Sequence, residues 1–348
     1  MIRVSDFGFR IWGSVHPLNL LDLLRRPAHL GDVSEKHPIL IVTGETASGK
    51  ERLALAVARV IGGEIVSADS MKVYRGMDIG TAKASAEERR LVPHHLVDVA
   101  DPWEIFSTAR WVEMADAAIA DIHARGRAPV VSGGTALYLK ALLEGMFEGP
   151  AADLALRGRL KAEAAQAHGL AALHARLAEV DPTAAARIHP NDLRRIVRAL
   201  EIWELTGRPI SKLQTQWGSR RPRYRPLMVA IRRASEDLER RIAERVRRMD
   251  EAGLREEVRG LAARPEGLAL GARQAVGYAE VLDFLAGGPT WDETREQVTK
   301  HTRQFAKRQR TWLRRFTDIV WLEAAADTPT EELAARVVTM WREHVAGG

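Results

Sequence analysis

Gly44-Glu45-Thr46-Ala47-Ser48-Gly49-Lys50-Glu51 is the stretch on which the reading of this chain turns. Ahead of it, Pro38-Ile39-Leu40-Ile41-Val42-Thr43 is short, apolar and β-branched, as a strand buried on both faces requires. Behind it, Arg52-Leu53-Ala54-Leu55-Ala56-Val57-Ala58 has the composition of a helix. Strand, glycine-bounded loop, Lys and helix form the setting in which this spacing makes a phosphate site. The glycines let the backbone curl so that its N–H groups point inward. Helix N-terminal amides add to that anion site, and Lys50 brings a point charge for a terminal phosphate. The candidate ligands of the phosphates are therefore Gly44, Thr46, Ala47, Ser48, Gly49 and Lys50. After such a Lys, a Ser or Thr hydroxyl usually meets Mg²⁺. Here Glu51 stands instead, and three readings follow: a carboxylate ligand for the metal, a charge repelling the phosphates, or a solvated first-turn acid.

A chain of 348 residues, 46% hydrophobic and 28% charged, can bury a substantial core and has the balance of a water-soluble globular protein. It has no cysteine, which excludes disulfides and any Cys-ligated zinc or iron–sulfur site and fits a reducing compartment. No apolar run approaches the ~20 residues that cross a bilayer, and no signal-peptide pattern opens the chain. The expectation is a cytoplasmic protein with no membrane contact. A formal charge of +6 favours a polyanionic partner.

Working outward, Gly63 to Ala68 reads as a second strand ending at Asp69-Ser70. In open α/β sheets ligands lie beyond the carboxyl ends of the strands, which places Asp69 toward the phosphates. An Asx turn or a helix cap is the plainer role for that residue. The polar segment from Met71 to Ala84, with Lys72, Tyr74, Arg75 and Lys83, is long enough for a binding loop. His94 to Val99 is a short strand candidate whose adjacent histidines face opposite ways. Phe106 to Arg125 reads as a helix, and Ala128 to Ser132 as a strand breaking into Gly133-Gly134-Thr135. That makes a second polar lip on the same site. Alternatively, Thr135 caps the helix Ala136 to Leu143.

From Gly149 to about Trp217 the strand signal vanishes, and Leu154–Ala167, Leu170–Val180 and Asp192–Thr206 read as helices. Arg194, Arg195 and Arg198 give the last of these a basic face. Leu227 to Ile231 returns to strand, and Leu238 to Leu261 reads as one long Arg-dense helix. Val298 to Arg315 is a basic helix, Val320 to Leu322 an edge strand, and Thr330 to Val345 a terminal helix. The expected fold class is α/β: a P-loop-type parallel sheet flanked by helices, with an inserted all-α domain. Residues 1–37 form an N-terminal extension with a candidate amphipathic helix at Leu18–Leu24, residues 38–148 and 218–325 the core, 149–217 the insertion and 326–348 a C-terminal helix.

With these segments in place, the chain resembles the tRNA dimethylallyltransferases, or tRNA isopentenyltransferases, from about Pro38 to Leu322. The resemblance rests on G-x-T-A-S-G-K at Gly44–Lys50, D-S-x-x-V-Y-R-G-M-D-I-G-T-A-K at Asp69–Lys83 and G-G-T-x-L-Y at Gly133–Tyr138. It continues in I-H-P-N-D-x-x-R-I-x-R-A-L-E at Ile188–Glu201, V-G-Y at Val276–Tyr278 and T-R-Q-x-A-K-R-Q-x-T-W at Thr302–Trp312. It implies that the phosphate loop, Glu51 included, holds dimethylallyl diphosphate with Mg²⁺, and that Asp69 accepts a proton from adenine N6 while Thr135 orients the reacting groups. It also implies a monomer that grips a tRNA anticodon stem-loop through Asp69, Ser70, Met71, Lys72, Arg157, Arg194, Arg195, Arg198, Gln274, Gly277 and Tyr278.

Several positions depart from the family pattern: Glu45 for Pro, Glu51 for Ser or Thr, Lys72 and Arg194 for Gln, Ser235 for Arg, and Ala279 for Lys or Arg. One unit charge at ~4 Å is worth roughly 4 kcal/mol at an effective dielectric of 20. Two added acids and two lost cations are thus expected to weaken diphosphate binding. The alternative they suggest is a catalytically weakened paralogue that binds tRNA without prenyl transfer.

Overall fold

Among the described residues, six parallel strands make one sheet in the order β3-β2-β4-β1-β5-β6. They are β1 (Pro38–Gly44), β2 (Glu64–Ser67), β3 (His94–His95), β4 (Pro129–Ser132), β5 (Arg225–Arg232) and β6 (Ile319–Glu323). The computed structural model describes residues 37–147, 149–214 and 223–347. The expected helix at Leu18–Leu24 and the end of the insertion at 215–217 lie outside them.

The sheet is built around β1, whose side chains alternate between two cores. Ile39 and Ile41 face one way, into a cluster with Trp111, Ile119, Tyr138 and Leu139. Leu40 and Val42 face the other, against Leu53, Val57, Val337 and Trp341. All four β1 side chains are fully buried. A strand apolar on both faces has to lie inside a sheet covered on both sides. Helices Thr108–Ala124 and Ala136–Glu144 cover the first face, where Trp111 stacks on Tyr138 at 4.4 Å and donates to the Ser67 carbonyl at 2.9 Å. Helices Lys50–Ile61 and Thr330–Ala346 cover the second.

Residues 149–214 carry no strand and have an apolar core of their own, with Leu160, Leu177, Ile196 and Leu200 buried together. Two short helices there, Pro182–Arg187 and Ile210–Leu213, go beyond the sequence reading. The helix expected at Leu238–Leu261 is two helices, Ser235–Glu251 and Leu254–Ala262. Gly253 at φ +94° separates them, a left-handed conformation that glycine adopts without steric cost. The strand expected at His94–Val99 stops at His95, because Leu96 and Asp98 take positive φ. Its two imidazoles go to different partners, His94 to the Val92 carbonyl and His95 to Glu64. The basic helix starts earlier than expected, at Trp291, where Thr290 and Glu293 form a capping box.

The carboxyl ends of β1, β2, β4 and β5 converge on one edge of this sheet. Each of them leads into a residue of the candidate site.

Candidate active site

The loop leaving β1 turns through Ala47 at φ +63° and Gly49 at φ +100° before the helix Lys50–Ile61 begins. Close packing also explains Gly44, where a Cβ would stand 2.8 Å from the Ser48 hydroxyl. That hydroxyl is buried and has no hydrogen-bond partner among the described residues. An orphaned buried hydroxyl inside an anion loop is a group awaiting a ligand. The first amides of the helix have no intrahelical acceptor either, so they add to the same anion site. Lys50 is buried, with Nζ 3.4 Å from the Glu45 carbonyl. Burial pushes its ammonium below the ordinary lysine value, and Lys72 and Arg245 add to that while Glu51 and Asp69 oppose it. An incoming anion relieves this directly. Thr46 has another duty: its N–H donates to Gln309 Oε1 at 2.7 Å, so that amide serves the loop's shape.

The charge surplus expected from the unusual acids is corrected by the structure. Glu45 is buried but accepts two hydrogen bonds from Arg310, at 2.7 and 3.2 Å. Glu51 sits 3.2 Å from Lys72 Nζ and 3.3 Å from the Ser132 hydroxyl. Burial raises the pKa of Glu51, but Lys72 and Lys50 outweigh it and hold the carboxyl at about 2. Both oxygens are thus engaged, and the expected role of Glu51 as a metal ligand is not what the geometry shows. Among the described residues no group of three or more His, Cys, Asp or Glu is placed to hold a metal. Ser235 is likewise replaced by a neighbour. Arg233 Nε donates to the Ser48 carbonyl at 2.8 Å and its NH1 meets Asp237 at 3.1 Å, while Arg241 Nε donates to the Ala47 carbonyl at 3.0 Å. Arg245, on the same helix Ser235–Glu251, is pushed down by burial and held up by the charges of Asp69 and Glu51.

Asp69 follows β2 and adopts the Asx turn its sequence allows, its Oδ1 accepting from the N–H of Met71 at 2.8 Å and of Lys72 at 3.4 Å. The turn engages one oxygen, and the charge of the carboxylate is felt by Lys50 and Arg245. Thr135 is no cap: it makes no side-chain bond to its own helix, and its hydroxyl accepts the Ser70 N–H at 3.1 Å. It therefore ties the end of β4 to the Asp69 turn. The diglycine before it is required by contact. A Cβ at Gly133 would fall 2.2 Å from the Ala68 carbonyl, and one at Gly134 would fall 2.1 Å from Gln309 Nε2. Gln309 spans this gap, donating to the Gly134 carbonyl at 3.0 Å while holding Thr46.

Several residues expected to contact tRNA have partners within the protein. Lys72 is 6% exposed and points at Glu51. Tyr278 is fully buried and donates to Glu257 at 2.5 Å; Glu257 also accepts from the Asp78 and Ile79 amides at 3.0 and 2.8 Å. With Gly277 buried beside it, Tyr278 shapes the Met71–Ala84 loop from behind. Its ring explains Gly80, where a Cβ would lie 2.3 Å away. Arg157 and Arg198 both bind Glu201, which is 0% exposed: Arg157 at 2.8 and 2.9 Å, Arg198 at 2.5 Å. Both side chains, each about a third exposed, tie the insertion together at Glu201. Arg194, Arg195 and Gln274 are exposed, and Ser70 and Met71 are half-buried beside Asp69.

The residues that sequence reading missed are Arg233, Arg241, Arg245 and Gln309, with Arg310 as a partner for Glu45. A signal existed for the last two in the Thr302–Trp312 block. None pointed to Arg233, since only the folded sheet brings β5 beside the phosphate loop.

The family model described as IPP transferase matches residues 72–316. The tRNA dimethylallyltransferase of Geobacter metallireducens is 51% identical over 289 residues, covering 83% of this chain and 93% of that protein. The full-length tRNA isopentenylpyrophosphate transferase of Bacillus halodurans is 38% identical with a TM-score of 0.64, over 90% of this chain and 99% of that one. A eukaryotic dimethylallyltransferase, solved acting on tRNA, is 27% identical with a TM-score of 0.75, over 89% of this chain and 80% of that one.

Proposed function

This chain belongs to the IPP transferase family, and on that premise we propose how its own residues carry out the family's reaction. It transfers a dimethylallyl group from dimethylallyl diphosphate to N6 of an adenine adjacent to the tRNA anticodon. The N6–C1 bond forms as the C1–O bond breaks, the electron pair leaves with diphosphate, and the N6 proton goes to the Asp69 carboxylate.

The observation that carries the reading is the meeting of two built halves. One is an anion loop with an orphaned Ser48 hydroxyl and a charge-starved Lys50. The other is a carboxylate held by its own turn through Oδ1. Gly44, Ala47, Ser48, Gly49 and Lys50 hold the diphosphate, Thr46 and Gln309 keep the loop in shape, and positive charge from Arg233, Arg241 and Arg245 stabilises the charge growing on it. Thr135 positions Asp69 through Ser70. The adenine has to leave its stack to reach Asp69, which costs a few kcal/mol, met by contacts along the stem. Exposed Arg194, Arg195 and Gln274, with Ser70 and Met71, supply those contacts.

Prenyltransferases of this family generally use a divalent metal. The donors here do not fit one: the carboxylate that follows the phosphate-loop Lys is already paired with a buried ammonium. No step above runs through a metal. The weakened-paralogue reading loses most of its basis as well, because both surplus acids have partners and Arg233 and Arg241 bind the loop near the neutral Ser235. We take the protein to act as a monomer in the cytoplasm, where its tRNA acceptor is found; no helix among the described residues is long and apolar enough to cross a membrane.

The test is nucleoside analysis of unmodified tRNA incubated with pure protein and labelled dimethylallyl diphosphate. Labelled N6-dimethylallyladenosine beside the anticodon is expected. Unlabelled tRNA after long incubation, with and without divalent metal, would sink the reading.

A further inference from the structure

In a phosphate loop, the side chain after the Lys reaches the point where a metal meets the phosphates. Here that point is approached from two sides. Glu51 extends from the first turn of its helix, anchored at 3.3 Å by the Ser132 hydroxyl. Lys72 crosses from the Asp69 turn, its side chain 7% exposed and its Nζ 3.2 Å from the same carboxylate. We propose that the Lys72 ammonium, held by Glu51, is a built-in cation of the leaving-group site, so that this protein grips a diphosphate without a divalent metal. The inference rests on the reading that the phosphate loop takes the diphosphate, and deepens it.

Three observations support it. Glu51 and Lys72 touch each other across the mouth of the loop, so they form one coupled pair. A hydroxyl at 51 alone would strand the buried Lys72 ammonium, and Gln at 72 alone would leave the half-exposed Glu51 carboxylate unpaired beside the phosphates. Second, Lys72 is tied at both ends: its N–H lies 3.4 Å from Asp69 Oδ1 while its ammonium meets Glu51. It thus links the acceptor side of the site to the leaving-group side. Third, a divalent ion placed at Glu51 would have to expel a buried ammonium 3.2 Å away or stand against it. Arg233, Arg241 and Arg245 supply the rest of the positive charge. Lys72 adds no covalent step; it donates hydrogen bonds to phosphoryl oxygens as the C1–O electron pair passes to them.

The experiment is calorimetric titration of the full chain with inorganic pyrophosphate, in EDTA and in Mg²⁺. It compares the natural protein with Lys72→Gln and with the double variant Glu51→Thr/Lys72→Gln, each first shown to be folded by its thermal transition. The natural protein should bind in EDTA within about threefold of its affinity in Mg²⁺, and Lys72→Gln should lose about tenfold or more in EDTA. The double variant, whose charge is balanced again, should bind only when Mg²⁺ is present. Mn²⁺ titration followed by electron paramagnetic resonance should find no site at Glu51 in the natural protein. Binding by the natural protein in Mg²⁺ alone, or an Mn²⁺ site that Glu51→Gln removes, overturns this inference and leaves the phosphate-site reading standing. No binding in either buffer overturns both.

Discussion

Thr135 shows how a single hydroxyl can be read two ways and settled by its partner. Sequence allowed a helix cap, but the hydroxyl serves Ser70 instead and so ties the end of β4 to the Asp69 turn. Replacing it with Val should lower the transfer rate by up to about 100-fold, the cost of a misplacement near 1 Å, with pyrophosphate affinity unchanged. Equal losses of rate and affinity would place Thr135 on the diphosphate itself. Glu51 carries a pH signature. Its carboxyl is held at about 2, below the unfolded value of 4.5, so its contribution to stability is present above 4.5 and disappears as pH falls through 2. Denaturant titrations should therefore show Glu51→Gln less stable than the natural protein at pH 7, with the gap closing between pH 4.5 and 2. A gap independent of pH would mean that the carboxylate charge is not what matters. The loop itself was legible because its glycines and Lys50 are contiguous. The neutralisation of Glu45 and Glu51 was not, because their partners, Arg310 and Lys72, are distant in the chain and only folding sets those pairs.

At the scale of elements, the insertion separates cations that hold its helices from cations that face outward. Sequence placed Arg157, Arg194, Arg195 and Arg198 together as tRNA contacts, for lack of any sign that Glu201 is buried between two of them. Burial pushes Glu201 up, yet the Arg157 and Arg198 hydrogen bonds hold it below the ordinary glutamate value. Arg157→Ala breaks a buried pair, a change that typically costs 3–5 kcal/mol in other proteins. Here one guanidinium remains on Glu201, so a loss of about 2 kcal/mol is expected in denaturant unfolding, with little change in the salt dependence of tRNA binding. Arg195→Ala should do the reverse, leaving stability within about 0.5 kcal/mol and reducing the salt slope of tRNA binding by about 1. Reversed results would return Arg157 to the RNA. Helix boundaries were legible where a cap or break stood in the sequence, as at Asp192 and Gly207. The break at Gly253 was missed because the apolar pattern runs on through it, Leu238, Ile242, Val246 and Met249 being followed by Leu254 and Val258.

In the whole molecule, one end of the sheet gathers the phosphate loop, the Asp69 turn and Thr135, the residues proposed to serve the leaving-group and acceptor sides of the transfer. The α/β class, the parallel sheet and the helical insertion could be read from alternating strand and helix patterns, since each pattern is local. Strand order could not, and strand order is what sets β5 and its Arg233 beside the phosphate loop. The shared site also has a pH consequence. Lys50 lies below the ordinary lysine value of 10.5, chiefly through burial, so pyrophosphate affinity should fall with rising pH before that value is reached. Affinity flat to pH 10.5 would argue that Lys50 is not the cation the anion meets.

The central claim is a division of labour: Lys50 and its loop hold the diphosphate, and Asp69 takes the proton from the adenine amine. Single-turnover transfer and pyrophosphate binding, measured side by side on Asp69→Asn and Lys50→Met, test it most directly. Asp69→Asn should bind pyrophosphate like the natural protein yet transfer about 10²–10⁴-fold more slowly, whereas Lys50→Met should lose pyrophosphate binding itself. Transfer by Asp69→Asn at the natural rate, or undiminished pyrophosphate affinity in Lys50→Met, would contradict the account.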